Sequence, residues 1–223
     1  MARNKVESIP IHLAVKVELW KRGCFDFITT LDGKKHEKQE QALKILTDNE
    51  HTELLYGGAA GGAKSWTGAA WLLFMCLSYP GTKWFIGRAE LKRITQSTLI
   101  TFYKVCAAYG VDDSLYHYNG QLNYIEFYNG SRIDLLDLKY TPGDPLYERY
   151  GSIEFTGGWI EEGGEVNFGA YDTLKTRVGR HLNRELGLRR KLFITCNPKK
   201  NWMYDTFYKP AKLHKLDSYM AYL

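Results

Sequence analysis

The sequence predicts an α/β fold, a mostly parallel central sheet flanked by helices with an antiparallel hairpin inserted in it. Three stretches carry that prediction. The run from Leu54 to Ser65 is an apolar strand, a loop built only of glycine and alanine, and then Lys-Ser opening a long apolar helix. Residues 83–88 are a second apolar strand and residues 90–109 a second long helix, so strand and helix alternate with short links, as a parallel sheet requires. Residues 121–128 and 131–138 flank Asn129-Gly130, whose backbone preference closes a tight hairpin.

In chain order, residues 9–17 read as a short strand or helix and residues 24–30 as a strand. A polar turn at 31–36 precedes a helix over 39–46, in which Ala42, Leu43 and Leu46 share one face. Residues 52–56 are the first core strand; the helix over 64–79 stops at Pro80-Gly81. Thr141-Pro142-Gly143-Asp144-Pro145 is a loop that continues neither neighbour. Residues 153–160 form a strand ending in Glu161-Glu162, and residues 168–180 an amphipathic helix carrying Lys175, Arg177 and Arg180. The strand over 192–195 is stopped by Pro198, and residues 201–209 start a last helix. The division that follows is an extension over 1–38, a core over 39–210 and the start of a linker over 211–223.

Composition sets the frame. With 223 residues, 44% hydrophobic and 25% charged, the chain can bury one sizeable core. Thirty Lys+Arg against 25 Asp+Glu leave a formal +5, which permits a phosphate-bearing partner without demanding one. Cys24, Cys76, Cys106 and Cys196 have no metal or disulfide spacing and read as free thiols. No apolar leader follows Met1, and the apolar run from Trp71 to Leu77 is far short of the ~20 residues a bilayer span needs.

The glycine–alanine loop is a phosphate cradle in chemical terms. Stripping side chains from Gly58, Ala59, Ala60, Gly61, Gly62 and Ala63 lets backbone N–H groups close round an anion, and the helix behind aims its positive end at the same point. Lys64 would reach the β- and γ-phosphates, and the Ser65 hydroxyl would hold Mg²⁺. Against the pattern G-x-x-x-x-G-K-[ST], Ala63 stands in the place of the second glycine. Glu161 and Glu162 close a strand whose carboxyl end belongs beside that loop. Alternation sends the two carboxylates different ways, which suits Glu161 to the metal shell and Glu162 to the attacking water. Thr195 and Asn197 end the next apolar strand and can meet the γ-phosphate or its water. Gln39 is open between a solvated surface residue and an adenine-reading amide, since its side chain offers one donor and one acceptor edge.

Taken in order, Gln39, the loop from Gly58 to Ser65, Phe-Thr-Gly-Gly-Trp-Ile-Glu-Glu, the Arg177/Arg180 segment and Thr195-Cys196-Asn197-Pro198 resemble the ATPase domain of bacteriophage large terminases. The stretch Asn197-Pro198-Lys199-Lys200-Asn201-Trp202, with Tyr204 and Phe207, is also similar to that family. The resemblance spans residues 39–207 and implies a RecA-like (ASCE) P-loop NTPase with an additional strand between the two Walker strands. It implies a motor that hydrolyses ATP with Mg²⁺ to drive double-stranded DNA through a portal, in the host cytoplasm. Its partners would be a portal protein, a small terminase subunit, a nuclease domain and further copies in a ring.

On that resemblance Gln39 reads adenine, Gly58 to Ser65 is the Walker A loop, Glu161 the Walker B acid and Glu162 the catalytic glutamate. Thr195, Cys196 and Asn197 form the coupling motif. Glu161 stands where the family usually has Asp, and Ala60 where many relatives carry arginine. Another arginine must then meet the transition-state charge, and Arg149 and Arg88 are the candidates, either of them able to act in trans. After Asp205 only Asp217 remains among the acids, too few for a nuclease cluster, and Asp134 and Asp137 read as solvated. The alternatives are a nucleotide-binding scaffold of low hydrolytic activity, or another P-loop enzyme such as a helicase. Lys199, Lys200, Arg189 to Lys191, Lys209, Lys212 and Lys215 are basic groups that read either as a solvated face or as sequence-independent contacts to DNA phosphates.

Overall fold

The computed structural model describes residues 8–29, 33–58, 63–197 and 199–223. The described residues form one sheet of eight strands in the order β3-β4-β5-β2-β6-β7-β1-β8. The six strands β5 (Arg132–Asp137), β2 (Lys83–Arg88), β6 (Gly157–Ile160), β7 (Lys191–Cys196), β1 (Glu53–Gly57) and β8 (Met220–Tyr222) are parallel. Antiparallel pairing is confined to β3 (Tyr116–Asn119), β4 (Tyr124–Phe127) and β5, which is the expected hairpin insertion plus one further strand. The extra strand between the loop strand β1 and the acidic strand β6 is β7.

Helices cover both faces because strand residues alternate between two apolar layers. Leu54 and Tyr56 of β1 point into the larger layer; Leu55 points into the smaller one. The larger layer is built around α3 (Lys64–Ser78), apolar on all sides and buried along nearly its whole length. Trp71 at its centre meets Trp84 and Phe193 edge-on, at 5.4 and 5.9 Å between ring centres. Around it pack α1 (Ile11–Lys21), α2 (Glu37–Thr47) and the rod formed by α4 (Leu91–Arg93), a π-helical turn (Ile94–Thr98) and α5 (Leu99–Tyr109). The smaller layer receives α6 (Phe168–Lys175) and the segment from Met203 through a second π-turn (Tyr204–Tyr208) to α7 (Lys209–Lys212).

Several sequence expectations change. Residues 9–17 resolve as helix α1, and 24–29 hold no strand. There Phe25 and Ile28 are buried together and the Ile28 N–H closes a turn on the Phe25 carbonyl at 2.8 Å. The helix expected over 168–180 ends at Lys175, because the chain turns back to bond Phe155: its N–H donates to Arg177 and its carbonyl accepts from Arg180. Residues 211–223, read as the start of a linker, include β8, which lies on β1. Asp134 is buried rather than solvated, taking an ion pair from Arg132 and one from Lys83 at 3.4 Å. Lys191 is also buried. Its ammonium donates to the carbonyls of Ile45 and His51, both at 2.6 Å, and to Asp48 at 2.7 Å, so it is no DNA-facing group. Among the described residues no helix is long and apolar enough to cross a membrane.

Candidate nucleotide site

The carboxyl ends of β1, β2, β6 and β7 open at one edge of the parallel sheet, where such sheets bind ligands. The loop leaving β1 starts at Gly58, whose φ of +141° suits glycine. Ala59, Ala60, Gly61 and Gly62 lie outside the described residues. The chain re-enters at Ala63, which has φ 55° and ψ 14°, left-handed and ordinarily glycine's territory. For an L-residue that conformation costs roughly 1–2 kcal/mol, so the departure from the motif stores strain at the helix start. The Ala63 carbonyl accepts from both the N–H and the hydroxyl of Thr67, at 2.8 Å each. Lys64 is buried and spans the loop, its Nζ donating to the Gly58 carbonyl at 2.8 Å. Ser65 follows it, half-buried.

Two glycine contacts set α3 and β6 against each other and against β2. A Cβ on Gly68 would stand 2.5 Å from the Trp159 ring, and one on Gly158 only 2.1 Å from the Phe85 ring. The small residues of the acidic strand therefore let aromatic rings close over it. Trp159 in turn donates from Nε1 to the Thr195 hydroxyl at 3.0 Å, tying β6 to β7.

The two acids diverge as alternation requires. Glu161 is 3% exposed; its Oε2 accepts from the Thr98 hydroxyl and stands 3.7 Å from Nη1 of Arg88. Arg88 ends β2 and is itself 8% exposed, with Nε lacking a hydrogen-bond partner among the described residues. Glu162 has left-handed backbone at φ 51°. Burial lifts its carboxyl above the ordinary carboxylate range, with Arg88 and Lys64 opposing and Glu161 and Glu165 adding to the rise. Asn197 donates to it. Cys196 is buried beside the same groups, and burial pushes its thiol up to about 11.

The structure thus gathers Lys64, Arg88, Glu161, Glu162, Thr195, Cys196 and Asn197 at one edge, with Ser65 next to Lys64 in the first turn of α3. Arg149 stands apart. It is tied to its own loop by Asp144 at 2.6 Å and the Lys139 carbonyl at 2.8 Å, and is held against the Tyr147 and Tyr150 rings. Its side chain keeps 31% of its surface in solvent.

Gln39 is fully buried, and both its amide atoms lack partners among the described residues. The Lys191 contacts fix the carboxyl end of α2 at the amino ends of the strands, so Gln39 near its start lies toward the site edge. The gap beside it, next to Ile28 and Leu43, holds only about 10 Å³. A larger cavity, about 500 Å³, opens beside Gly57 and Gly58 on the other face, against Lys199, Tyr204, Tyr208 and Tyr222. Sequence reasoning missed that cavity and missed Thr98, because π-turns and the three-residue β8 leave no readable period.

The donor set fits Mg²⁺ in kind: Ser65, Glu161 and Glu162 offer hard oxygens. No group of three or more His, Cys, Asp or Glu among the described residues could hold a metal unaided.

The model of the family described as phage terminase large subunit matches residues 49–222. No curated protein matches the chain. Among solved structures, the large terminase of a thermophilic bacteriophage in complex with ADP is similar at TM-score 0.62 and 13% identity, over 85% of this chain and 45% of that one. The HK97 bacteriophage large terminase is similar at 0.63 and 11%, over 92% and 43%. The ATPase domain of the Thermus phage P74-26 large terminase is similar at 0.53 and 14%, over 82% and 72%. The chain spans less than half the length of the first two of these proteins.

Proposed function

The chain belongs to the phage terminase large subunit family, and from that premise we propose that it is the ATP-hydrolysing motor unit that drives double-stranded viral DNA into a procapsid. The observation that carries the reading is the convergence of Lys64, Glu162 and Asn197 at adjacent strand ends beside a glycine–alanine loop. The ADP complex of the thermophilic bacteriophage protein supports a nucleotide as ligand.

In this reading Lys64 leaves the Gly58 carbonyl for the β- and γ-phosphates, gaining a charge-assisted partner for a neutral one. Ser65 and Glu161 hold Mg²⁺, which neutralises phosphate charge when bound. Glu162 accepts the proton of the attacking water, and Asn197 orients it. The Gln39 amide, without a partner among the described residues, reads the base once the gap beside it opens. Arg88 is buried and so supplies its charge within its own subunit. Arg149 is the arginine that a neighbouring copy in a ring can reach, once it gives up Asp144. Exposed Arg189, Arg190, Lys199, Lys200, Lys209, Lys212 and Lys215 are the DNA-backbone candidates. The portal protein, the small terminase subunit and a nuclease domain are the remaining partners.

Nucleotide binding and Mg²⁺-dependent ATP hydrolysis by the parent, Glu162→Gln and Lys64→Ala test this. Slow hydrolysis by the parent, lost in Glu162→Gln with binding retained, is the expected result. Parental hydrolysis in Glu162→Gln overturns the assignment, and unchanged binding in Lys64→Ala overturns the cradle.

A further inference from the structure

Several helical threonines in this chain spend their hydroxyls on backbone carbonyls, Thr173 on that of Leu146 at 3.1 Å and others within their own helix. Thr47 donates to the Leu43 carbonyl and Thr67 to that of Ala63, each at 2.8 Å, and Thr95 to that of Lys92 at 2.9 Å. Thr98 does otherwise. It is fully buried, and its hydroxyl crosses from the helix to Oε2 of Glu161, 63 residues away in sequence. It closes the π-helical turn Ile94–Thr98, in which the Leu99 N–H reaches back to the Ile94 carbonyl. A turn widened by one residue swings its side chains round relative to a regular helix, and such turns concentrate at functional sites.

Glu161 carries one methylene more than an aspartate would, so its carboxylate has more freedom to stray. Thr98 and Arg88 both act on the same oxygen, Oε2, and among the described residues Oε1 accepts no hydrogen bond. We infer that Thr98, brought there by the π-turn, is a positioning residue that fixes the longer Glu161 side chain so that Oε1 faces the metal shell of the bound nucleotide. The inference rests on the nucleotide reading above. Outer-shell partners of a ligating carboxylate typically change metal affinity by about 10–100-fold when removed.

Mn²⁺ serves as the probe. Free Mn²⁺ is measured by electron paramagnetic resonance against the full chain with saturating ADP, for the parent, Thr98→Ser, Thr98→Val and Glu161→Asp with and without Thr98→Val. Metal-free ADP affinity and thermal unfolding are followed alongside. Thr98→Val is expected to weaken Mn²⁺ about tenfold with metal-free ADP affinity unchanged, and Thr98→Ser to restore it. In the Glu161→Asp background Thr98→Val should cost nothing, because the shorter acid falls short of the hydroxyl. Parental Mn²⁺ affinity in Thr98→Val, or a Thr98→Ser as weak as Thr98→Val, overturns the inference alone. A parent that binds neither ADP nor Mn²⁺–ADP overturns the nucleotide reading with it.

Discussion

Asn197 Nδ2 lies 3.4 and 3.3 Å from the two carboxylate oxygens of Glu162, joining the end of β7 to the end of β6. Both distances exceed a tight charge-assisted bond, so the amide steers the carboxylate without locking it. A donor facing a carboxylate favours its charged form. Replacing Asn197 by Ala should therefore lift the Glu162 pKa further and lower hydrolysis at neutral pH, while nucleotide binding stays. A pH–rate profile of the variant against the parent reads this directly: the acid limb moves upward.

The same carboxyl sets a pH dependence of stability. Burial raises the folded-state pKa of Glu162 above its unfolded value. Holding it ionised in the fold therefore costs stability at neutral pH, and the cost disappears as pH falls through the raised value towards the ordinary carboxylate range. Glu162→Gln should unfold at a higher temperature than the parent at pH 7, with the difference vanishing in acid. Thermal scans across that window give the sign.

Ala63→Gly removes a left-handed alanine. Relief of about 1–2 kcal/mol of backbone strain is offset by about 0.5–1 kcal/mol of extra chain entropy in glycine, leaving a net gain of about 0–1.5 kcal/mol. Denaturant unfolding measures it.

Gly158→Ala forces a methyl into the Phe85 ring, and neither strand can give way in mid-sheet. Overpacking of this kind costs about 1–3 kcal/mol. Because Glu161 and Glu162 sit just beyond, hydrolysis should fall more than stability alone explains. Unfolding and rate measured on the same preparation separate the two effects.

Lys191→Met leaves Asp48 and the partly buried carbonyls of Ile45 and His51 without their ammonium. Because Asp48 keeps 27% of its side chain in solvent, the loss should cost less than the about 3–5 kcal/mol of a fully buried pair, whereas binding to DNA in a salt titration should not change. A loss of DNA affinity would show that this lysine reaches phosphate after all.

Much of the fold is written in local patterns. Strands β1, β2 and β7 are short apolar runs between breakers, α3 is apolar on every side, and Asn129-Gly130 forces its hairpin; each signal is complete within a short window. The acids and Lys64 were readable for the same reason. What the sequence hides depends on partners far along the chain. β8 is Met-Ala-Tyr, a strand only because β1 lies beside it. α6 stops early for the sake of a bridge to Phe155. The hydroxyl of Thr98 looks like any helical threonine until a widened turn meets Glu161. Arg149 could be named from its residue type, but its engagement with Asp144 and two tyrosine rings could not.

The seating of β1 between β7 and β8 has a consequence for biosynthesis. The segment bearing the glycine–alanine loop leaves the ribosome well before both neighbours of its strand, 191–196 and 220–222. Closing so long a loop is slow, and until it happens both edges of β1 are unpaired. The nascent chain should therefore gain its grip on nucleotide in one late step, and stalled chains released before residue 191 should aggregate instead of binding.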